Sequence, residues 1–189
     1  MPLARRLLLA TPLWLAACGD DGLPRSFAPL RYDYLTRLQI NVASINTADL
    51  PPPGALDQIS PAPLAPALRQ MALDRLTAGG SSGHGLVTVE EARITRGGGG
   101  LDGAMALRLD ILAADGTKVG FAEARVARHV ATGGSLQANL YDITKAMLDD
   151  MNVEFEFQVR QSLRDYLQTT TTAPAPAPVQ QENLSAPPS

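Results

Sequence analysis

From Ser135 to Gln168 the chain carries neither glycine nor proline, and this unbroken run constrains the fold more than any other feature of the sequence. Within it Leu136, Leu140, Ile143, Met147, Met151, Phe155, Val159, Leu163 and Tyr166 recur at steps of three or four. That spacing places them in one stripe along an α-helix. A helix through the whole run would be roughly 50 Å long. One stretch competes with this reading: Val153, Phe155, Phe157 and Val159 alternate with Glu154, Glu156 and Gln158, as in a strand. Helix formers on both sides and the lack of a turn signal favour helix. In a strand Phe155 and Phe157 would share a face, whereas in a helix they stand about 200° apart. The helical reading therefore expects a buried Phe155 and a Phe157 that leaves the main stripe. A break near Met151-Asn152 is the alternative to one continuous rod.

The remainder of the chain reads as strands around one shorter helix. Leu38, Ile40 and Val42 alternate with polar and small residues, which predicts a strand over Thr36–Asn46. Asp49–Pro66 contains six prolines and is expected to be an extended surface connection, with Pro63 or Pro66 opening the next helix. Leu64, Leu68, Met71, Ala72 and Leu76 describe a helix of about 14 residues facing a core, ended by Gly79-Gly80. Leu86–Thr95 is rich in β-branched residues, and Met105, Leu107, Leu109 and Ile111 alternate with Ala106, Arg108 and Asp110. Lys118–Val130 completes three strands, joined at the Gly97–Gly100 turn and at Asp115-Gly116, a hairpin signal. The expected fold is α+β: a small antiparallel sheet of about four strands in the order β-α-β-β-β-α, with helices on one face and a long C-terminal helix.

The N-terminus carries a different kind of signal. Arg5-Arg6 is followed by an apolar run from Leu7 to Ala17, broken only by Thr11 and Pro12. A positive segment before a short apolar one is the pattern of a secretory signal, and the run is too short to span a bilayer. Leu15-Ala16-Ala17-Cys18 resembles the lipobox of bacterial lipoproteins. The resemblance covers residues 1–19 and implies cleavage before Cys18, with diacylglycerol on its sulfur. It further implies the outer membrane rather than the inner, because Gly19, not aspartate, follows the cysteine. Two or three acyl chains hold a protein firmly to a membrane. The layout of the whole chain is also loosely similar to periplasmic accessory lipoproteins of envelope transport systems, without signature residues to carry over. The expected organisation is a signal peptide at 1–17, a tether at 18–31, a periplasmic domain at 32–168 and a disordered Thr/Ala-Pro tail at 169–189.

Charge and cysteine usage narrow the functional classes. The formal net charge is −3, and removal of residues 1–17 takes two arginines and no acid, leaving −5. That balance argues against nucleic-acid binding. Cys18 is the sole cysteine, so no disulfide forms within the chain and the fold rests on its core.

Candidate chemistry is sparse. His84 in Ser81-Ser82-Gly83-His84-Gly85, together with His129 and an acid, is the nearest approach to a hydrolytic set, but no Gly-x-Ser-x-Gly elbow is present. The two histidines have no zinc-ligand spacing. Asp20-Asp21, Asp149-Asp150 and Glu154 with Glu156 are carboxylate pairs that read as solvated faces. Gly97–Gly100 precedes a strand rather than a helix and so lacks the form of a phosphate loop. Arg93, Arg96, Arg108, Arg125 and Arg128 interleave with Glu90, Glu91, Asp110 and Glu123, the expected signature of cross-strand charge pairing. No catalytic residue, metal or cofactor is assigned, and the chain is not expected to be an enzyme.

The functional expectation is a non-catalytic envelope lipoprotein that docks a partner or scaffolds an envelope assembly, held to the membrane by lipid on Cys18. A sheet of three or four strands is only about 20 Å across, so a 50 Å helix would overhang it. Met151, Phe157 and Val159 are the candidate partner contacts on that stretch. A carrier for a lipid or small apolar molecule is the first alternative, and a hydrolase the second.

Overall fold

The structure is a computed structural model that describes residues 26–168. Cys18 and the 169–189 tail lie outside the described residues, as does most of the tether. The element order is β1 (Leu38–Ile40), β2 (Ser44–Thr47), α1 (Leu64–Arg75), β3 (Leu76–Ala78), β4 (His84–Gly97), β5 (Gly100–Leu112), β6 (Lys118–Ala131) and α2 (Leu136–Ser162). The α+β class stands.

The sheet is mixed rather than wholly antiparallel. Its order is β2-β4-β5-β6, with β4, β5 and β6 an antiparallel meander and β2 parallel to β4. Two hairpins build the meander. At the first, Gly98 and Gly99 both take positive φ, of 54° and 78°, so the turn needs residues without a Cβ penalty. At the second, the Gly116 N–H donates to Ala113 O at 3.0 Å and the Asp115 carboxylate accepts the Thr117 N–H at 2.9 Å.

The predicted strand over Thr36–Asn46 divides in two. β1 pairs parallel with β3 in a separate two-stranded sheet, while β2 joins the large one. The break lies at Asn41–Ala43, where backbone partners change: Asn41 N–H donates to Tyr166 O at 2.7 Å, and Ala43 N–H to Ser82 and Gly83. Val42 stays buried through the jump. Parallel neighbours need a crossover, and α1 supplies it for both pairs. The helix does not run on to Gly79-Gly80. Its C-cap, Leu76, is already extended at ψ 147°, and β3 begins there.

Pro63 is the N-cap of α1, and Pro66 lies within the first turn, where a missing amide costs little. Asp57, buried in the proline-rich connection, accepts the N–H of Gly54 and of Leu64. It thus caps α1 from seven residues upstream, a task Pro63 has no side-chain group to perform.

α2 has 27 residues and so is about 40 Å long. It ends at Ser162 with Leu163 as its C-cap, short of the run to Gln168, and Arg164–Tyr166 forms a 3-10 turn that brings Leu167 beside Ile40. Helix holds throughout 152–160. The overhang expected from the sheet's width does not occur, because α2 lies along the strands. Gly103 of β5 meets Ile143 and Met147, while Gly120 of β6 meets Leu163. Strands of 13 and 14 residues are roughly 45 Å long, enough to cover the helix. At Gly103 a Cβ would press into the Met147 sulfur, so this glycine lets helix and sheet approach closely.

The core sits between that sheet face and the two helices. Leu101, Met105, Leu107, Leu109 and Ile111 supply it from β5, and Ile143, Met147, Met151, Phe155 and Val159 from α2. The opposite sheet face is charged. A bulge between Val89 and Glu91 shifts the phase of β4. Val87 and Val89 face the core before it, and Ile94 after it. Glu90 and Glu91 both reach arginines of the charged face.

Candidate functional site

The candidate surface is the outward side of α2 and the N-terminal strap laid across it. On α2 the stripe that faces the sheet is consumed: Met151 and Val159 are fully buried and Phe155 is 1% exposed. Phe157 is 57% exposed, and Val153, one turn earlier on the same face, is 68% exposed. Of the three candidate contacts named from sequence, only Phe157 presents its side chain to solvent. Met151 and Val159 lie in the core because α2 does not overhang the sheet.

The tether was expected to run to residue 31, yet residues 27–31 already rest on the helices. Phe27 packs against Tyr141, with ring centroids 5.1 Å apart, and the Tyr141 hydroxyl donates to Ala28 O at 2.9 Å. Arg31 donates to both carboxylate oxygens of Asp74, each at 2.9 Å, and the Tyr32 N–H donates to the same carboxylate at 2.9 Å. The Tyr32 hydroxyl then donates to Asp149 of α2 at 2.6 Å. Tyr34, 75% exposed, stacks on Tyr32 with centroids 6.4 Å apart. The strap thus ties α1 to α2 and leaves Tyr34 exposed beside Tyr32.

Electrostatics fix these contacts. Burial alone would raise the pKa of Asp74, but hydrogen bonds from Arg31, the Tyr32 amide and Gln70 outweigh it and hold the carboxyl below its ordinary range. Burial, reinforced by the bond to Asp149, pushes the Tyr32 phenol up and keeps it a donor. Hydrogen bonding to Asp149 raises the Lys145 pKa.

A second junction escaped the sequence reading. Arg75, at the end of α1, is buried and donates to Thr36 O and to Glu156 of α2. No periodicity marks a buried arginine; its position in the stripe just before Leu76 was the only available sign.

On the charged sheet face Arg93, Arg108 and Arg125 pair as their interleaving implied. Arg108 meets Asp110 at 2.9 Å and Glu123 at 3.4 Å, and its guanidinium stands 4.3 Å from the Phe121 ring centroid. Arg125 meets Glu123 at 2.6 Å and Glu90 at 3.3 Å, and Lys118 meets Asp110 at 3.0 Å. Burial acts to raise the Asp110 pKa, but Arg108 and Lys118 together lower it. Arg128 pairs instead with Asp150 of α2.

The histidines are not brought together. His84 opens β4, whereas His129 sits level with Asp102 and Thr95, most of the length of β4 away, roughly 35 Å at 3.3 Å per residue. His129 Nδ1 lies 2.7 Å from Asp102, and both side chains are about half exposed. The carboxylate pairs within the described residues serve neighbours: Asp149 meets Lys145 and Tyr32, Asp150 meets Arg128, Glu154 meets Gln158, and Glu156 meets Arg75 and Arg160. Among the described residues no helix is long and apolar enough to cross a membrane.

No family model matches the chain, and no curated protein matches it. Solved structures do. A Xanthomonas campestris protein of the DUF330 family aligns at 11% identity and TM-score 0.40, over 74% of this chain and 95% of that one. A minor lipoprotein from Acinetobacter baumannii aligns at 11% identity and TM-score 0.35, over 63% and 94%. A PelC dodecamer from Paraburkholderia phytofirmans aligns at 14% identity and TM-score 0.30, over 62% and 90%.

Proposed function

We propose that this chain is a lipid-anchored envelope protein that works by docking a protein partner, without catalysis of its own. The observation that carries the reading is Leu15-Ala16-Ala17-Cys18 at the end of a short apolar run behind Arg5-Arg6. The sulfur of Cys18 takes the lipid, and Gly19 after it favours the outer membrane. The domain then faces the periplasm, with Tyr34, Val153 and Phe157 as its contact side chains. Of these, the exposed aromatics Tyr34 and Phe157 are the kind that anchor protein interfaces.

The alternative of a lipid or apolar-ligand carrier needs room between the sheet and α2. Ile143, Met147, Met151 and Phe155 occupy that interior at 0–1% exposure, which weighs against it. The hydrolase alternative loses support from the separation of His84 and His129.

The test is in cells. Cys18→Ser removes the nucleophile for lipid transfer, so the variant should accumulate as an uncut or mislocalised precursor. A mature, membrane-bound Cys18→Ser protein in cell fractions would sink the anchor. A photo-crosslinking residue at Phe157 should give one discrete adduct in intact cells, lost when Val153 is replaced by Asp. A smear of abundant neighbours would defeat the docking role.

A further inference from the structure

A cavity of about 660 Å³ opens where the two-stranded β1/β3 sheet meets the end of α2, and three arginines line it: Arg37, Arg160 and Arg164. Thr36, Thr77 and Gln168 add hydroxyl and amide groups to the same wall. We propose that this cavity binds an anion bearing a phosphate mono- or diester.

The charge balance carries the argument. Over the whole chain acids outnumber bases, 19 to 16, and on the sheet Arg93, Arg108, Arg125 and Arg128 each meet a carboxylate. At this corner three arginines line one cavity. Arg37 has no ion-pair partner among the described residues. Arg164 has only Asp165, at 3.9 Å and itself 89% exposed. Arg160 shares Glu156 with Arg75, which is buried behind Thr36 and donates to its carbonyl. Three guanidinium groups therefore line the cavity, with Arg75 behind it, against the carboxylates of Glu156 and Asp165. The negative end of the α2 dipole accounts for a basic residue in its last turn, as at Arg160. It does not account for Arg37, which arrives from the approach to β1.

The chemistry of the lining selects the ligand. Guanidinium groups bind phosphate oxygens in pairs of parallel hydrogen bonds. Threonine hydroxyls suit the remaining ester and hydroxyl oxygens. The walls are held by the fold rather than by the ligand: Gln168 N–H donates to Gln39 O at 2.9 Å, and its side-chain amide to Gly79 O at 2.6 Å. The volume exceeds that of one phosphate ion, so the group attached to the phosphate also has space. A lipid headgroup and a soluble phosphate both offer this chemistry. The inference does not depend on the lipid anchor.

Calorimetric titration of the full-length protein in detergent tests it, with inorganic phosphate and dihexanoyl phosphatidylglycerol as separate probes. The site predicts saturable binding of at least one. Arg37→Gln should weaken it by about tenfold, the loss of a charge-assisted hydrogen bond, and Arg164→Gln should act in the same direction. Arg96→Gln removes the same charge at the far end of β4 and should leave binding within about twofold, a margin of roughly 0.4 kcal/mol. Arg37 is exposed and has no ion-pair partner among the described residues, so its variant should melt like the parent. Binding of the lipid alone assigns a headgroup; equal binding of free phosphate assigns a soluble anion. No saturable heat with either probe at millimolar concentration overturns the proposal. So does an equal loss from Arg37→Gln and Arg96→Gln, which would mark diffuse surface charge.

Discussion

The two sheets of this domain are held in opposite ways. In the meander each strand pairs with its neighbour in sequence, through two short turns, over 13 or 14 residues. The β1/β3 corner has three residues per strand, and its partners come from three remote places: Leu38–Ile40, Leu76–Ala78 and Leu167. Closing a hairpin costs little chain entropy, whereas joining remote segments costs more with each doubling of the loop. The meander can therefore organise itself, and the corner holds only while α1, the strap and the end of α2 are all in place. Stability in this protein should be graded, highest on β4–β6 and lowest where the ends of the chain meet.

The largest expected effect lies in what both regions share. Phe155→Ala opens a cavity in the core under α2 and should cost about 3–5 kcal/mol. Phe157→Ala, two residues on but exposed, should stay within about 0.5 kcal/mol. Denaturant melts of the pair measure both. Equal losses would mean that α2 is not the helix described.

Removing residues 164–189 strips the corner of its third contributor. Two backbone hydrogen bonds, from Asn41 to Tyr166 O and from Gln168 to Gln39 O, disappear with the half-buried Tyr166 and Leu167. At about 1 kcal/mol per hydrogen bond and somewhat more for the apolar area, the loss should be about 3 kcal/mol. Amide exchange should quicken in β1 and β3 while β4–β6 keep their protection. Uniform quickening would erase the distinction between the two regions.

Each region also holds a buried aspartate, Asp74 near the corner and Asp110 on the meander, with its pKa lowered by cationic partners. A carboxyl whose folded pKa lies below the unfolded value, about 3.9, stabilises fully above that value. The contribution is lost as pH falls through the folded pKa. The protein should thus weaken on acidification below about pH 4. Asp74→Asn should cost about 1–3 kcal/mol at neutral pH, through imperfect pairing of Arg31 and the Tyr32 amide, and should show a shallower acid limb. An acid limb unchanged by Asp74→Asn would mean that the strap contributes nothing to it. The smallest effect is expected from deleting 169–189 alone, which should leave the melting midpoint in place, because Thr and Ala-Pro residues have little surface to bury. A drop of many degrees would show that the tail belongs to the fold.

The same contrast explains what could be read from the residues. Alternation at Met105–Ile111, the glycines at 97–100 and Asp115-Gly116 are local signals, and they placed the meander and its turns. The stripe from Leu136 to Leu163 placed α2 and distinguished Phe155 from Phe157. The bulge leaves a trace in the sequence too, since the alternation at Val87 and Val89 changes phase before Ala92 and Ile94. The corner was not legible. Leu76-Thr77-Ala78 is too short to show a period, and its partner is 38 residues upstream by register. The overhang expected from the sheet's width is absent because α2 runs along the sheet's length, a direction that no residue pattern within the helix encodes. The arginine cavity lay beyond reach because Arg37 and Arg164 become neighbours only once Leu167 meets Ile40. Lipidation at Cys18 is a proposal that rests on the sequence alone.

The strap has a mechanical consequence. Tension applied from the N-terminal side enters the domain at Phe27 and passes along residues 28–32 before it reaches any strand. The first grips it meets are the Tyr141 contact and the two-pronged Arg31–Asp74 clasp, followed by Asp149. Those grips belong to different helices, so a pull is divided between α1 and α2 and draws them together. The meander, bonded across its own strands, lies outside the line of force. Under load this chain should peel at its strap long before its sheet gives way.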